Sequence, residues 1–154
     1  MKLKLLVAAT AICLTSLQSF SQEISFRSAK EKNVDKHALF VNVAERTNAD
    51  VSLMQSLFNL KTGQGTTIKL ADNLQLVGHV VMTEQQTNLQ SITLRCTNFP
   101  NALFTVSKVT LEDGSVTYTG AILNHQNKDV IMLEKDEQGN YAWTKKNLSD
   151  LIQD

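Results

Sequence analysis

From residue 66 to residue 145 the chain repeats one unit, a run of five to ten residues rich in β-branched and apolar side chains followed by a short polar break. The runs are 66–70, 75–84, 89–97, 102–111, 116–124, 129–135 and 141–145. The breaks are Asp72-Asn73, Thr87-Asn88, Asn98-Phe99-Pro100-Asn101, Asp113-Gly114, Gln126-Asn127 and Gln138-Gly139-Asn140. Side chains of the first kind suit a pleated, half-buried surface, and the breaks are turn formers. Connections this short cannot bring a strand back parallel to its neighbour, so successive strands must run antiparallel. The region is thereby restricted to a meander. Asp113-Gly114 is its strongest hairpin signal, with a type I′ turn expected.

Alternation assigns faces to parts of these strands. Val116, Tyr118, Gly120 and Ile122 share one side, in phase with one another. In 102–111 the phase slips, because Phe104 and Val106 point one way while Val109 and Leu111 are offset by one. A bulge near Ser107-Lys108 would return all four to one side and curve the sheet.

Ahead of the meander, a helix of about three turns is expected over about 48–60. Thr47 with Asp50 three residues on forms a capping signature, and Val51, Met54, Leu57 and Phe58 recur at helical spacing, joined by Leu53 and Leu60. Lys61 suits the negative end of the dipole, and Gly63 and Gly65 stop the helix. A stripe of this kind, methionine included, belongs to a core. Residues 37–43 read as a first strand or an extended lead-in. The tail 147–153 reads as a short last helix capped by Asn147, with Leu148, Leu151 and Ile152 facing inward. The expected fold is therefore α+β, one helix packed on a curved antiparallel meander of six or seven strands that curls toward a half-barrel. An up-and-down β-barrel is the alternative.

The first 21 residues have a different character. Lys2 and Lys4 precede a nearly unbroken apolar run over 5–14, and Ser19-Phe20-Ser21 then places small residues at both ends of a tripeptide. This is the layout of a secretory signal peptide, with cleavage expected between Ser21 and Gln22 and a secreted or periplasmic destination. The run is well short of the roughly 20 residues that span a bilayer. Cys13 follows Thr10-Ala11-Ile12, and a bulky Ile directly before the cysteine fits lipoprotein processing poorly, so no stable membrane anchor is expected. Residues 22–36 are polar and charged and read as a flexible arm, leaving 37–154 as a single domain. Cleavage would remove two lysines and no acids, which turns the balance of 15 basic and 15 acidic residues into 13 and 15. No basic stripe remains for phosphates, so nucleic acid is not an expected partner. Only Cys96 would survive, in phase with Ile92 and Leu94, as a buried thiol acting as a small apolar side chain.

No catalytic constellation is legible. His37, His79 and His125 show no metal-ligand spacing with one another or with cysteine, so neither a metal nor another cofactor is expected. Gly-x-Ser-x-Gly does not occur. Gly63-Gln64-Gly65 precedes a strand, without the helix N-terminus that lets glycine loops bind phosphate. Asp136 to Asn140 lacks the alternating oxygens of a calcium loop. Tyr118, Tyr141 and Trp143 are the candidate ligand-binding residues, since aromatic side chains on strands can take sugars, peptides or apolar ligands; they can equally be the core of the last hairpin. The expected function is a secreted or periplasmic, non-enzymatic binding module whose partner is a protein, a peptide or a small apolar ligand. A protease-inhibitor or prodomain-like protein is one alternative, on scaffold analogy alone, and an enzyme with a dispersed site is another.

Overall fold

The computed structural model describes residues 37–151. The expected leader over 1–21 and arm over 22–36 lie outside the described residues, as does Ile152 of the expected tail helix. In chain order the elements are β1 (Arg46–Asn48), α1 (Val51–Leu57), β2 (Gly65–Ala71), β3 (Leu74–Gln85), β4 (Leu89–Cys96), β5 (Leu103–Thr110), β6 (Val116–Leu123), β7 (Asp129–Lys135) and β8 (Tyr141–Asn147). A 3-10 helix, Leu148–Leu151, follows.

All eight strands form one antiparallel sheet in the order β1-β8-β7-β6-β5-β4-β3-β2. It curls into a half-barrel with one helix. The seven expected runs appear in sequence as β2 to β8. The eighth strand, β1, overlaps the start of the expected helix, at Thr47 and Asn48, and its Arg46, Thr47 and Asn48 pair with Thr144, Trp143 and Ala142. Three residues are too few to show a period. What makes them a strand is the free edge of β8, whose pairing extends to Ala49 N–H donating to Tyr141 C=O and Lys145 N–H donating to Glu45 C=O.

The helix is correspondingly shorter, with seven residues and about two turns. Asp50 is its cap, not Thr47: Asp50 Oδ1 accepts the N–H groups of Ser52 (2.8 Å) and Leu53 (3.2 Å). β1 and β2 are the two edges of the sheet, so the chain must pass from one edge to the other between them. α1 makes that crossing and buries Met54 and Leu57 in the same core as Leu76, Leu94, Phe104, Ile122 and Trp143. Because β1 and β2 do not pair, the sheet stays open, which settles the choice between half-barrel and closed barrel.

Residues 37–43 form no strand. They cross the end of the sheet where the β2–β3, β4–β5 and β6–β7 turns gather. Asn127 Nδ2 donates to His37 C=O (2.7 Å), Asn73 Nδ2 donates to Asn42 C=O (2.8 Å), and the Phe40 ring packs on Phe99 with centroids 5.3 Å apart. The buried Asp129 is the centre of this clamp, its Oδ1 and Oδ2 accepting the N–H groups of Leu39 (2.6 Å) and Phe40 (2.7 Å). Asp129→Ala is expected to lower stability by about 3 kcal/mol, since a hydrogen bond to a charged group contributes about 1.5–3 kcal/mol and an orphaned buried N–H adds to the loss. Urea denaturation checks this, and a loss under about 1 kcal/mol would show that the segment holds without the carboxylate.

Three further expectations need correction. β5 pairs with β6 in unbroken register from Leu103 to Thr110 and shows no shift against β4, so no bulge stands at Ser107-Lys108. The shifts lie in β2–β3 between Lys69 and Ala71 and in β3–β4 between Val80 and Met82. The apolar phase of β5 breaks because the core ends there: Lys108 takes the inner slot between its partners Gln90 and Tyr118, and Leu111 lies beyond the strand. The Asp113-Gly114 hairpin is real, but only Gly114 has positive φ (80°), with Gly114 N–H donating to Leu111 C=O and Leu111 N–H to Ser115 C=O. This is a type I turn closed by a left-handed glycine, and not type I′. The tail makes a 3-10 turn and not an α-helix; Asn147 Oδ1 accepts Ser149 N–H (3.3 Å), but Leu151 is 41% exposed and does not face inward.

Candidate functional site

Tyr118, Tyr141 and Trp143 all lie on the concave side, at 6%, 7% and 2% exposure. The two tyrosine rings meet edge to face at 5.6 Å. Tyr141 Oη accepts the Tyr118 N–H (2.9 Å), and Gln55 Nε2 donates to Tyr118 Oη (3.0 Å), which ties α1 to the sheet. Trp143 packs on Phe104 at 5.7 Å and covers Gly120, where a Cβ would come within 3.0 Å of the indole. The two tyrosines contact one another, Tyr118 reaches the helix, and all three side chains are part of the main core.

His37, His79 and His125 are exposed and lie on separate segments. Among the described residues no group of three or more His, Cys, Asp or Glu side chains is placed to hold a metal. Cys96 is 4% exposed and belongs to the core. Burial pushes its thiol from the ordinary 9.0 up to about 11. Two units leave about 100-fold less thiolate at pH 8, and the thiolate is the reactive form. In a Cys13→Ser chain, native labelling by a thiol reagent at pH 8 is therefore expected to run at least about 100-fold slower than labelling in urea. Equal rates would refute the burial. Below pH 9.0 both native and unfolded states hold the proton and this group's contribution to stability is complete; it is lost as the pH rises toward about 11, because the unfolded thiol ionises first.

The open surface of the molecule lies elsewhere, and a mismatch of strand lengths creates it. β3 has 12 residues, but β2 pairs with it only from Leu74 to His79. Gly63 and Gln64 extend the contact by one residue, Gly63 N–H donating to Val80 C=O (2.8 Å) and Val80 N–H to Gln64 C=O (2.9 Å). Beyond Val80, no described strand lies beside β3 on the side away from β4. A cleft of about 370 Å³ opens there, between β3–β4 and the turn that follows α1.

Its walls come from short local devices. Phe58 and Leu60 pass beyond the end of α1 and stay half-buried, and with Ile92 they give the cleft apolar lining. The 61–64 turn is held by Gln64 N–H donating to Lys61 C=O (2.9 Å) and by Lys61 N–H donating to Gln64 Oε1 (3.1 Å). Thr62 Oγ1 lies 3.3 Å from Thr83 Oγ1 and joins that turn to β3. Asn59, Gln85 and Gln90 add amides, while Lys61 and Glu84 add one charge of each sign.

Main-chain groups also lie along its border. Gln86 N–H donates to Leu89 C=O across the two-residue Thr87-Asn88 turn, making 86 and 89 a hydrogen-bonded pair. Bonded and non-bonded pairs alternate along an antiparallel ladder. Glu84 and Ser91 are thus bonded, whereas Gln85 opposite Gln90 and Thr83 opposite Ile92 are not. The N–H and C=O groups of Thr83 and Gln85 consequently point away from β4, along the edge of β3 that borders the cleft. Apart from Lys61 and Glu84, the polar groups here are amides, hydroxyls and main-chain atoms, which hydrogen-bond and do not ionise at neutral pH.

None of these residues stood out in the sequence as a site. The signal that could have found them is the unequal length of neighbouring runs, five residues at 66–70 beside ten at 75–84. No protein-family model matches this chain, and comparison with characterised proteins and with solved structures gives no significant match.

Proposed function

We propose that this chain is a secreted or periplasmic, non-enzymatic binding module, and that its ligand occupies the cleft between β3–β4 and the 58–62 turn. The observation that carries this reading is the make-up of the cleft: apolar lining from the half-buried Phe58 and Leu60 beside the amides of Asn59, Gln85 and Gln90. Ligand sites are commonly concave and mixed in this way, with apolar surface supplying affinity and a few convergent polar groups setting orientation. The leader-like first 21 residues support the location.

Amide-detected NMR on the purified chain tests the reading, using separate panels of short peptides, oligosaccharides and fatty acids. At least one class is expected to shift Phe58, Thr83, Gln85 and Gln90 together. If every class leaves these four signals in place, the cleft is not a binding site.

A further inference from the structure

The edge of β3 beyond Val80, which no described strand covers, has a chemistry of its own. Thr83 and Gln85 each aim an N–H and a C=O away from β4, at the strand edge beside the cleft, and residues two apart on a strand are about 7 Å apart. That spacing is the repeat with which a neighbouring strand presents its own groups. From these two residues and the cleft beside them, we infer that the ligand is an extended peptide segment that adds to the sheet as a strand along residues 82–85, beyond the end of β2. This rests on the binding reading above and specifies its ligand.

Side-chain recognition follows from the two faces of the sheet. Thr83 stands opposite Ile92, a core residue, so a peptide side chain beside Thr83 lies on the inner side, toward Phe58 and Leu60. Apolar residues belong there. Met82 and Glu84 alternate to the outer side, where Met82 is 52% exposed and Glu84 is exposed. A side chain laterally opposite Glu84 is favoured when it is Lys or Arg, because opposite charges on neighbouring strands attract and like charges repel. The segment is therefore one whose inward residues are apolar and which carries a basic residue between them. Main-chain hydrogen bonds give such strand addition its affinity, and alternate side-chain positions give its specificity.

The probe is a positional library of blocked hexapeptides, with Val, Leu or Phe at alternate positions and Lys, Arg, Thr or Glu between them. Hydrogen exchange and NMR titration on the purified chain read the result. At saturation with the best basic member, exchange at the Thr83 and Gln85 amides is expected to slow about 10-fold or more, as for an amide drawn into a ladder. N-methylation of that peptide at the bonded amides is expected to weaken binding about 10-fold, the equivalent of one lost hydrogen bond. Glu84→Lys, at an exposed position, is expected to reverse the preference toward Glu-containing members.

Binding that leaves both amides unprotected and tolerates N-methylation would overturn strand addition while keeping the cleft as a side-chain site. Cleft shifts caused only by sugars or fatty acids would overturn the peptide assignment and leave the binding reading standing. Protection of the two amides that rises with protein concentration and without peptide would give the edge to a second copy of the chain instead. No response to any class would remove both proposals.

Discussion

Gly78→Ala is expected to destabilise the native state by about 3–5 kcal/mol, at the extreme of single-residue effects. Gly78 sits in the middle of β3, opposite Cys96 on β4. A Cβ there would lie 2.2 Å from the carbonyl oxygen of Arg95 and 3.1 Å from the Cα of Cys96. Both atoms belong to backbone inside a paired ladder, so no rotamer change can relieve the clash. A glycine at such a point marks the close approach of another backbone. The strands would have to separate where the sheet is bonded on both sides, since Gly78 also faces Thr66 of β2. Urea or thermal denaturation measures the loss, and a cost below about 1 kcal/mol would mean that the two strands do not approach so closely.

Trp143→Ala is expected to cost about 3–5 kcal/mol for a different reason, the cavity left by a large buried aromatic. The indole is 2% exposed and fills the space between Phe104 and the bare backbone of Gly120. Neither neighbour can fill the gap, because Gly120 has no side chain and Phe104 is itself fully buried. Trp143→Phe keeps part of the volume and should lose less, about 1–3 kcal/mol. Trp143 is the single tryptophan of the chain, so the comparison needs circular dichroism in place of fluorescence. If alanine cost no more than phenylalanine, the indole would not be closely packed against Gly120.

The meander was readable because each of its strands combines β-branched residues with a turn on either side. That is local information, and all seven runs became strands in order. What escaped the sequence is what tertiary contacts decide. Arg46, Thr47 and Asn48 carry no strand signal and are extended because β8 has an edge to offer. Thr47 matched a capping pattern, but once it joined the sheet Asp50 was the first residue free to cap. The slip at Val109 resembled a bulge because pattern reading assumes that every apolar residue seeks the core. Lys108 on the inner side shows that the core had already ended. Tyr118, Tyr141 and Trp143 were legible as aromatics on strands, yet their burial rests on partners distant in sequence, as the Gln55–Tyr118 bond at a separation of 63 and the Phe104–Trp143 contact illustrate. The cleft was hidden for a related reason. It arises where β2 falls short of β3, and a gap between elements has no residues of its own to recognise.

The pairing of β1 with β8 has a consequence for the order in which this protein assembles. Arg46 and Thr144 are partners 98 residues apart (144 minus 46), whereas each successive pair from β2 to β8 is joined by a short turn. Loop closure over such a distance is slow relative to hairpin formation. During synthesis β1, α1 and the 37–43 segment emerge first and dock last. β1 waits for β8, and the segment's own anchor, Asp129, appears only at the start of β7. The growing meander therefore spends its early life without the helix that covers its hollow side, presenting Leu76, Leu94 and Phe104 to whatever surrounds it.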